Sequence, residues 1–562
     1  MNAPPRPSLV VPELLQGQWT TAVICTFGAN LTFFETRIMS QLVQVPLRLV
    51  LADRDQLAHT LSEASRTGQR HPLANRAYFA APIRHRRAAH GKMMLLLGQS
   101  EGRLIVGSGN LGYDGYASPG ELWHVFAYSD DQPAHLAEFA AARAFIDGLA
   151  SRELLDPPVV ELLQTSWDEA TWLPPALAEP ASIRSNLDRA LIQQLQEFVS
   201  EPVTDLITHA PFHDSNCEAL QALIAAFDPQ RVTLLLTSAT SADPDSIRRV
   251  LGDGPGRSIE LVQVRAEPAA YIHAKWIHLV HRHSETMLTG SANLSGRALL
   301  RPLSSGNIEI GVISTGPLGA FSTLYDHLEK QPVADVSSIG LSFHASPEVD
   351  DLSAGPAVLW SRLDGNVLAI VFEADLAPGT TLILEDHSGR SLVVISLRYD
   401  GKIVAATLDS ESAERLAHGG RLSVLIDGSA DGPSYTWPYQ LGHLRGRLDK
   451  AGQKEHLWRI GALPERDAEL YELLRELEQT LIIDRQSVWR IAKSAKMRRG
   501  EDADGEILKL QDLDWNRVRR DPRYKGYFTR GRSTGAASDR HPGHPCCDRR
   551  QARGYRVDGW SA

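Results

Sequence analysis

The sequence predicts an α/β protein with two related halves, followed by a β-sandwich and a helical C-terminal region. Three observations support this prediction. An internal repeat gives each half the same series of apolar strands and helical stretches. Short β-like runs, separated by aspartate and glycine turns, follow the repeat, and an amphipathic stretch follows them. With 562 residues, the chain is long enough for three or four structural units.

Both halves of the repeat open in the same way. An apolar strand is predicted at residues 21–27 and again at 203–209, each followed by a loop and a helical stretch. A second buried strand is predicted at residues 47–51 and 232–236. This alternation of strands and helices indicates an α/β fold with a mixed sheet.

Each half ends in a hairpin that carries the most informative residues. The first hairpin is predicted from strands at residues 92–97 and 104–106, and the sequence GSGN follows it. The second is predicted from strands at 275–280 and 286–289, and GSAN follows it. A His-x-Lys triplet begins each element, with 20 residues from His to Asn and 16 from Lys to Ser in both copies. Two unrelated stretches would rarely agree in residue type and in both spacings.

The repeated residues fit the hydrolysis of a phosphodiester. Such a bond resists attack because its negative charge repels nucleophiles and its alkoxide is a poor leaving group. Two histidines on opposite sides of the phosphorus overcome both barriers: one attacks in line, and the other protonates the leaving oxygen and then activates water. Lysine and amide side chains bind the remaining oxygens and stabilise the charge that develops on them. The candidate catalytic residues are His90, Lys92, Asn110, His273, Lys275 and Asn293.

The spacing within each element is consistent with this assignment. The His and Lys of a triplet are two residues apart, so both are predicted to project from one face of a strand. The asparagines lie where each hairpin returns. Ser108 and Ser291 are candidate substrate-binding residues, with turn residues as the alternative interpretation.

The two copies, HGK…GSGN and HAK…GSAN, resemble the paired HKD motifs of the phospholipase D superfamily. The resemblance covers roughly residues 20–330 and implies two phospholipase D-like α-β-α lobes related by a pseudo-twofold axis. It also implies one active site between the lobes, a metal-independent mechanism and no cofactor. Glu309 in SGNIEIGV resembles the acidic residue that orients a histidine in this family, and Glu121 in SPGELWHVF is its counterpart. By the same resemblance, His90 is the nucleophile and His273 the general acid and base.

The sequence departs from the usual motif of the superfamily in both halves. The aspartate expected seven residues after each histidine is replaced by Leu97 and Val280, and the His-to-Asn spacing is three residues longer than in phospholipases. Both features are similar to the tyrosyl-DNA phosphodiesterase branch and to some bacterial nuclease-like members. They favour a nucleic acid, DNA rather than RNA, over a lipid as substrate. DNA end repair and defence against foreign DNA are the biological roles that such a nuclease would serve.

Changes in composition along the chain predict the domain boundaries. The predicted units are lobe 1 at residues 16–155, a proline-rich connector at 156–181, lobe 2 at 182–336, a β-sandwich at 340–445, a helical region at 450–515 and a basic tail at 516–562. The tail has the composition of a disordered segment. The sandwich and the helical region are candidate binding surfaces for a protein partner.

The charge distribution and the cysteine content indicate which partners and which cellular compartment fit the chain. The net charge is -10, but the chain from Asn516 onward has a surplus of 8 positive charges, which leaves -18 on the rest. An acidic body argues against a chain coated with nucleic acid and permits a local basic cleft. The basic tail is interpreted either as a nucleic-acid anchor or as an end without specific function. Four cysteines without metal-ligand spacing, and no signal sequence or membrane span, predict a cytoplasmic protein.

Two other classes of function stay open at this point. A phospholipid-cleaving enzyme would have a hydrophobic rim beside the histidines. A non-catalytic module would have its cleft covered by the sandwich or the helical region. His278, His281 and His283 are interpreted as solvated histidines of a strand and turn rather than as a metal cluster. Trp123 and Trp276 are interpreted as core residues rather than as platforms for a base.

Overall fold

Mixed β-sheets and helices make up the part of the chain that carries both His-x-Lys triplets, so the predicted α/β class is confirmed. The computed structural model describes residues 14–15, 17–42, 45–67, 71, 73–116, 120–177, 179–252, 257–265, 272–341, 343, 357–427 and 432–441. All of them belong to one compact unit of the chain. The helical region predicted at 450–515 and the basic tail at 516–562 lie outside the described residues.

The first sheet has the strand order β3-β2-β1-β4-β5-β6. Its strands are β1 (Thr21–Thr26), β2 (Leu47–Asp53), β3 (Phe79–Ile83), β4 (Met93–Leu97), β5 (Glu101–Gly107) and β6 (Trp123–Ser129). Strands β1, β2 and β3 are parallel, and the others are joined to them and to each other in antiparallel pairs. Strands β1, β2 and β4 are buried along their whole length, which explains why each is a continuous run of mostly apolar residues.

Helices accompany the first sheet at several points. They are α1 (Leu31–Phe33), α2 (Arg54–Thr67), α3 (Tyr113–Tyr116), α4 (Leu136–Ser151) and α5 (Pro157–Glu169). A π-helical turn at Phe34–Ile38 continues α1. Helix α5 lies within the residues interpreted as a proline-rich connector. Its two prolines occupy the first turn, where a missing backbone N–H removes no helical hydrogen bond.

The second sheet repeats the strand order of the first and adds one strand at each edge. Its strands are β7 (Ile183–Ser185), β8 (Asp205–His209), β9 (Arg231–Leu236), β10 (Ser258–Arg265), β11 (Trp276–Val280), β12 (Ser284–Gly290), β13 (Ile310–Pro317) and β14 (Glu329–Val333). The order β14-β10-β9-β8-β11-β12-β13-β7 matches that of the first sheet between β10 and β13. Helices α6 (Leu191–Glu197), α7 (Glu218–Phe227) and α8 (Pro244–Gly252) accompany it, with a π-helical turn at Gly296–Leu300.

A shared apolar core joins the two sheets. Ile308 and Ile310 of the second half pack in the same buried cluster as Ala89 and Met93 of the first half. These residues border the first His-x-Lys triplet and the segment that carries Glu309. Burial of this cluster therefore holds the two segments next to each other.

Two antiparallel sheets follow the α/β part and enclose one apolar core, which is the arrangement of a β-sandwich. The strands are β15 (Val358–Asp364), β16 (Val367–Phe372), β17 (Leu382–Glu385), β18 (Val394–Asp400), β19 (Ile403–Leu408), β20 (Leu422–Ile426) and β21 (Ser434–Thr436), with helix α9 (Ser410–Ala417) between β19 and β20. The sheets have the orders β15-β16-β19-β18 and β17-β20-β21. The short β-like runs noted in the sequence correspond to β15 through β20, and they include neither β21 nor α9.

The chain after β21 connects these sheets to the first half. The Asn75 side chain donates a hydrogen bond of 2.7 Å to the Trp437 carbonyl. The Asn75 backbone carbonyl accepts a hydrogen bond of 3.0 Å from the Gln440 amide. The Tyr439 hydroxyl donates to the buried Asp156 carboxylate at 2.7 Å, and Arg84 donates to the same carboxylate at 2.8 Å. The described contacts therefore place this junction beside β3 rather than beside the histidines of the triplets.

Candidate active site

The two His-x-Lys triplets lie in extended segments that lead into β4 and β11. The strands begin at Met93 and Trp276, one residue after each lysine. The prediction that the triplets lie within strands is therefore wrong, because each triplet ends just before its strand begins. Each lysine ammonium donates a hydrogen bond to the carbonyl of the histidine two residues earlier, at 2.7 Å in the first triplet and 2.5 Å in the second. These bonds fix the position of each ammonium relative to its own triplet.

Backbone hydrogen bonds connect each triplet to the other half of the chain. The His90 amide donates to the Ile308 carbonyl at 2.8 Å, and the Ile308 amide donates to the Ala88 carbonyl at 2.9 Å. In the second half, the amides of His273 and the following residue both donate to the Gly120 carbonyl at 2.9 Å. The two contacts bring both histidines to the boundary between the halves.

Each histidine is hydrogen-bonded to a glutamate from the opposite half. His90 Nδ1 lies 3.1 Å from Glu309 Oε2, and His273 Nδ1 lies 2.8 Å from Glu121 Oε1. All four side chains are largely buried. A carboxylate is an acceptor, so it favours the tautomer with the proton on Nδ1 and leaves the lone pair on Nε2. The arrangement can therefore present two Nε2 atoms, each with a defined protonation role, to a bound ligand.

Polar side chains hold both glutamates in turn. The hydroxyls of Ser108 and Ser291 donate to Glu121 and Glu309, respectively, and both serines are fully buried. Glu309 Oε1 also accepts a hydrogen bond of 3.1 Å from the Asn307 side chain. The serine hydroxyls thus contact the carboxylates that orient the histidines.

Burial changes the protonation equilibria of the lysines and histidines. It lowers the pKa of Lys92 to about 7, although Glu309 and Glu121 raise it. Burial and the charge of Lys92 hold the pKa of Lys275 well below its usual range. Burial and Lys92 also lower the pKa of His90 to about 4, against the opposing effect of Glu309. Since each lysine interacts with both glutamates, the groups of the two halves form one electrostatic unit.

The two predicted asparagines lie at the turns that follow β5 and β12. Asn110 Oδ1 accepts a hydrogen bond from the Gly28 amide at 3.5 Å. Asn293 Oδ1 is buried and has no hydrogen-bond partner among the described residues. The turn before Asn293 requires Gly290, whose φ is 139° and whose added Cβ would lie 2.5 Å from the Gly311 Cα.

Asp53, at the end of β2, supports the first triplet and was not identified from the sequence. One carboxylate oxygen accepts a hydrogen bond of 2.8 Å from the Ala89 amide. The other accepts from the amides of Asp55 and Gln56 and so caps α2. Burial raises the pKa of Asp53. The sequence shows an aspartate directly after the apolar run RLVLA, which could have suggested a helix cap or a functional residue. Nothing in the sequence connects it to Ala89, which lies 36 residues later.

An aromatic ring contacts the first triplet. Phe27 follows β1, and its ring centroid lies 5.2 Å from that of His90 in an edge-on arrangement. The Lys92 ammonium lies 5.7 Å from the same ring centroid. From the strand registers, Pro211 occupies the equivalent position in the second half. The two halves therefore differ in the residue at this position.

Some histidines outside the triplets differ from the sequence-based interpretation. His278 and His281 are buried, so the prediction that they are solvated is wrong; only His283 of the three is exposed. His278 Nδ1 lies 2.8 Å from the Tyr325 hydroxyl, and its Nε2 lies 3.3 Å from the Glu285 carboxylate. These contacts could not be anticipated because Tyr325 is 47 residues away in the chain.

Three further observations concern metal ligands, membrane spans and the role of Trp276. Within the described ranges, no group of three or more His, Cys, Asp or Glu side chains is arranged to hold a metal ion. No helix in the part of the chain that the structure covers has the length and apolar character needed to cross a membrane. Trp276 is buried and stacks on Tyr325 with a centroid distance of 5.8 Å, as expected of a core residue.

Comparisons with known proteins give structural neighbours at low similarity. No protein-family model matches the sequence, and no curated protein matches it. Two variants of yeast tyrosyl-DNA phosphodiesterase match the structure with TM-scores of 0.36 and 0.37, at 10% and 9% identity; they cover 54% of this chain, and 84% and 85% of their own chains. Polyphosphate kinase from Porphyromonas gingivalis matches with a TM-score of 0.32 at 13% identity, over 61% of this chain and 49% of its own. At these values the similarity identifies neither a family nor an activity.

Proposed function

We propose that the protein is a metal-independent phosphodiesterase of the phospholipase D superfamily that hydrolyses nucleic-acid phosphodiester bonds, DNA rather than RNA. The observation that carries the proposal is the crossed pairing of His90 with Glu309 and His273 with Glu121, beside two buried lysines. These groups provide a nucleophile, a general acid and base, and cations for the phosphate. The chemistry therefore needs no metal-bound water.

In the first step of the proposed reaction, His90 Nε2 bonds to phosphorus while the bond to the leaving oxygen breaks. Protonated His273 gives its proton to that oxygen. In the second step, His273 takes a proton from water, the water oxygen bonds to phosphorus, and the phosphorus–nitrogen bond breaks. The electron pair of that bond returns to His90, so both histidines recover their starting states.

The pKa directions support these two roles. With a pKa of about 4, His90 is neutral at physiological pH, as a nucleophile must be. Burial and Lys275 lower the pKa of His273, whereas Glu121 raises it. A bound phosphodiester adds a negative charge beside His273 and between the lysines, and such a charge favours their protonated forms. Substrate binding therefore prepares the proton that the leaving group needs.

Lys92, Lys275, Asn110 and Asn293 bind the phosphate oxygens in this proposal. In Asn293 the Nδ2 group is the donor for a phosphate oxygen, and no described hydrogen bond of Oδ1 would be lost if the amide turned. Ser108 and Ser291 were expected to bind substrate. Their contacts with the glutamates favour a positioning role instead, in which each serine fixes the carboxylate that orients a histidine.

Labelled single-stranded and double-stranded DNA, incubated in EDTA, test the proposal. We expect the wild type to cleave at least one form and expect His90→Ala and His273→Ala each to lower the rate roughly 10²- to 10⁴-fold. His59→Ala, at an exposed site on α2, is the matched control and should behave as the wild type. Strict dependence on an added divalent metal would contradict the mechanism, and cleavage that survives both active-site substitutions would contradict the site.

The order of the histidines has its own test. Because His273 activates water in the second step, a slow variant such as His273→Asn should accumulate labelled phosphate on His90. The bond is a phosphoramidate, which is labile in acid and stable in base. The assignment would be reversed if the His90→Asn variant carried label on His273 and the His273→Asn variant carried none on His90.

A further inference from the structure

An exposed tyrosine lies beside the first asparagine of the site. Tyr113 comes three residues after Asn110, at the start of α3, and its side chain is 51% exposed. Its ring packs edge-on against Phe33 at a centroid distance of 4.6 Å, and its hydroxyl accepts a hydrogen bond of 3.2 Å from Arg37. Arg37 is itself exposed. The ring is therefore held in place while one surface remains open to solvent.

An exposed phenylalanine lies beside the second asparagine. Phe212 is 43% exposed and precedes His213, which forms an isolated β-bridge with Leu294, the residue after Asn293. The backbone around Phe212 is also fixed by two hydrogen bonds with Ser241: the Ser241 amide donates to the Pro211 carbonyl, and the His213 amide donates to the Ser241 carbonyl. The two exposed aromatic residues thus adjoin the two amides that are proposed to bind the phosphate.

Exposed arginines precede the proposed nucleophile. Arg86 and Arg87 lie on the segment that runs from β3 to His90, and neither forms an ion pair with a carboxylate among the described residues. The neighbouring His85 ring lies 2.8 Å from the Gly306 carbonyl of the other half, which anchors this segment. The segment that precedes His273, AEPAAY, contains no basic residue. The segment that leads to His90 thus carries two exposed arginines, and residues 266–271 carry none.

This combination fits one class of polyanion. Exposed aromatic rings stack with unpaired bases, and arginines contact the phosphates between them. The bases of a duplex already stack on each other and do not present their faces. A lipid surface would favour a contiguous apolar patch. Among the described residues of the α/β part, the other exposed large apolar side chains are Leu177, Ile259 and Leu318, and none of them follows a triplet or an asparagine of the site.

We infer that the site takes a single-stranded polynucleotide, with bases on either side of the scissile phosphate stacked on Tyr113 and Phe212 and flanking phosphates on Arg86 and Arg87. The inference rests on the proposed function and specifies its substrate.

The first experiment separates binding from catalysis. Binding of a fluorescent single-stranded oligonucleotide is measured by anisotropy on the His90→Ala background, with Tyr113→Ala, Phe212→Ala and Arg86→Ala/Arg87→Ala added. We expect each aromatic substitution to weaken binding roughly 5- to 150-fold. The arginine pair should lower the slope of log affinity against log salt by about 0.7 per arginine. Leu318→Ala and Arg282→Ala, both exposed beyond the far ends of β13 and β11, are the controls and should bind as the background protein.

The second experiment compares substrates with otherwise wild-type catalytic residues. Tyr113→Ala and Phe212→Ala should reduce kcat/KM far more for the single-stranded oligonucleotide than for bis(4-nitrophenyl) phosphate, a diester without bases. Unchanged oligonucleotide binding in these variants overturns the inference, as does a duplex that is cut as fast as the single strand. If the same substitutions weaken binding to phosphatidylserine vesicles and leave oligonucleotide binding unchanged, Tyr113, Phe212 and the two arginines would form a membrane-binding surface instead. Absence of diester hydrolysis by the wild type contradicts the proposed function but leaves the binding result to decide the inference.

Discussion

Carboxylates from the opposite halves of the chain determine which nitrogen of each histidine faces the ligand. Glu309 and Glu121 occupy Nδ1 of His90 and His273, and both carboxylates are nearly inaccessible to solvent. Neither half alone therefore contains a complete site. Separation of the halves would remove from each histidine the acceptor that fixes its tautomer.

The two carboxylates should have different effects on the pH dependence of hydrolysis. Glu309→Gln and Glu121→Gln should each lower kcat roughly 10²- to 10⁴-fold, because a neutral amide no longer stabilises the required tautomer and charge. Glu121 raises the pKa of His273, so its loss lowers that pKa further. The protonated acid is then lost at lower pH, and the basic limb of kcat/KM moves to lower pH. Glu309→Gln should move that limb less, because Glu309 raises the pKa of the two lysines but has no described contact with His273.

A pH profile of kcat/KM for a small diester, measured from neutral to basic pH, checks this prediction. Glutamine is close in shape to glutamate, and circular dichroism at each pH shows whether the fold persists. A basic limb that moves in Glu309→Gln and stays in Glu121→Gln would reverse the roles of the two histidines. Equal profiles in both variants and the wild type would mean that the glutamates act only on stability.

At the scale of elements, two aspartates cap helices, and only one of them also contacts a residue beside the candidate site. Asp53 caps α2 and also binds the Ala89 amide, next to His90. Asp243 caps α8 through the amides of Asp245 and Ser246 and has no described contact with the triplets. The two aspartates share one local role, and only the first is connected to the site.

Asp53→Ala and Asp243→Ala should therefore separate capping from catalysis. Each loses a cap worth about 0.5–2 kcal/mol of unfolding free energy. Asp53→Ala also leaves the buried Ala89 amide unpaired, which costs roughly 1–3 kcal/mol more. Urea unfolding measures both losses. Diester hydrolysis at a temperature where both variants are folded should decrease for Asp53→Ala alone; equal activity in the two variants would show that Asp53 does not position the triplet.

The elements that the sequence predicted are those whose signals are local. The strands of both hairpins follow from apolar runs within a few residues of GSGN and GSAN, and equal spacing in the two halves identified the triplets. The resemblance identified both glutamates as residues that orient histidines, but it did not assign each one to a histidine of the opposite half, because Glu309 lies 219 residues from His90 and Glu121 lies 152 residues from His273. Strand β6, which carries no distinct alternation, and the short β21 were missed for the related reason that tertiary pairing stabilises them.

At the scale of the whole molecule, burial of neutral histidines connects the proposed site to stability. Burial lowers the pKa of His90, His124 and His209 to about 4, and that of His213 to about 3. An unfolded histidine has a pKa of about 6.5. Below that value the unfolded chain binds more protons than the folded chain, so folding stability decreases as the pH falls from about 6.5 towards 4. Each such histidine contributes a slope of at most about 1.4 kcal/mol per pH unit.

His213 gives the cleanest test of this coupling, because both of its ring nitrogens are buried without a partner among the described residues. His213→Leu removes the titrating group and leaves no polar group newly unpaired. Between pH 7 and pH 5 the wild type should lose roughly 2 kcal/mol more unfolding free energy than this variant. Urea unfolding at the two pH values measures the difference. His59→Leu, at an exposed position, should follow the wild type. Equal losses in the wild type and His213→Leu would show that His213 takes up its proton in the folded state, and the buried histidines would then not limit stability in acid.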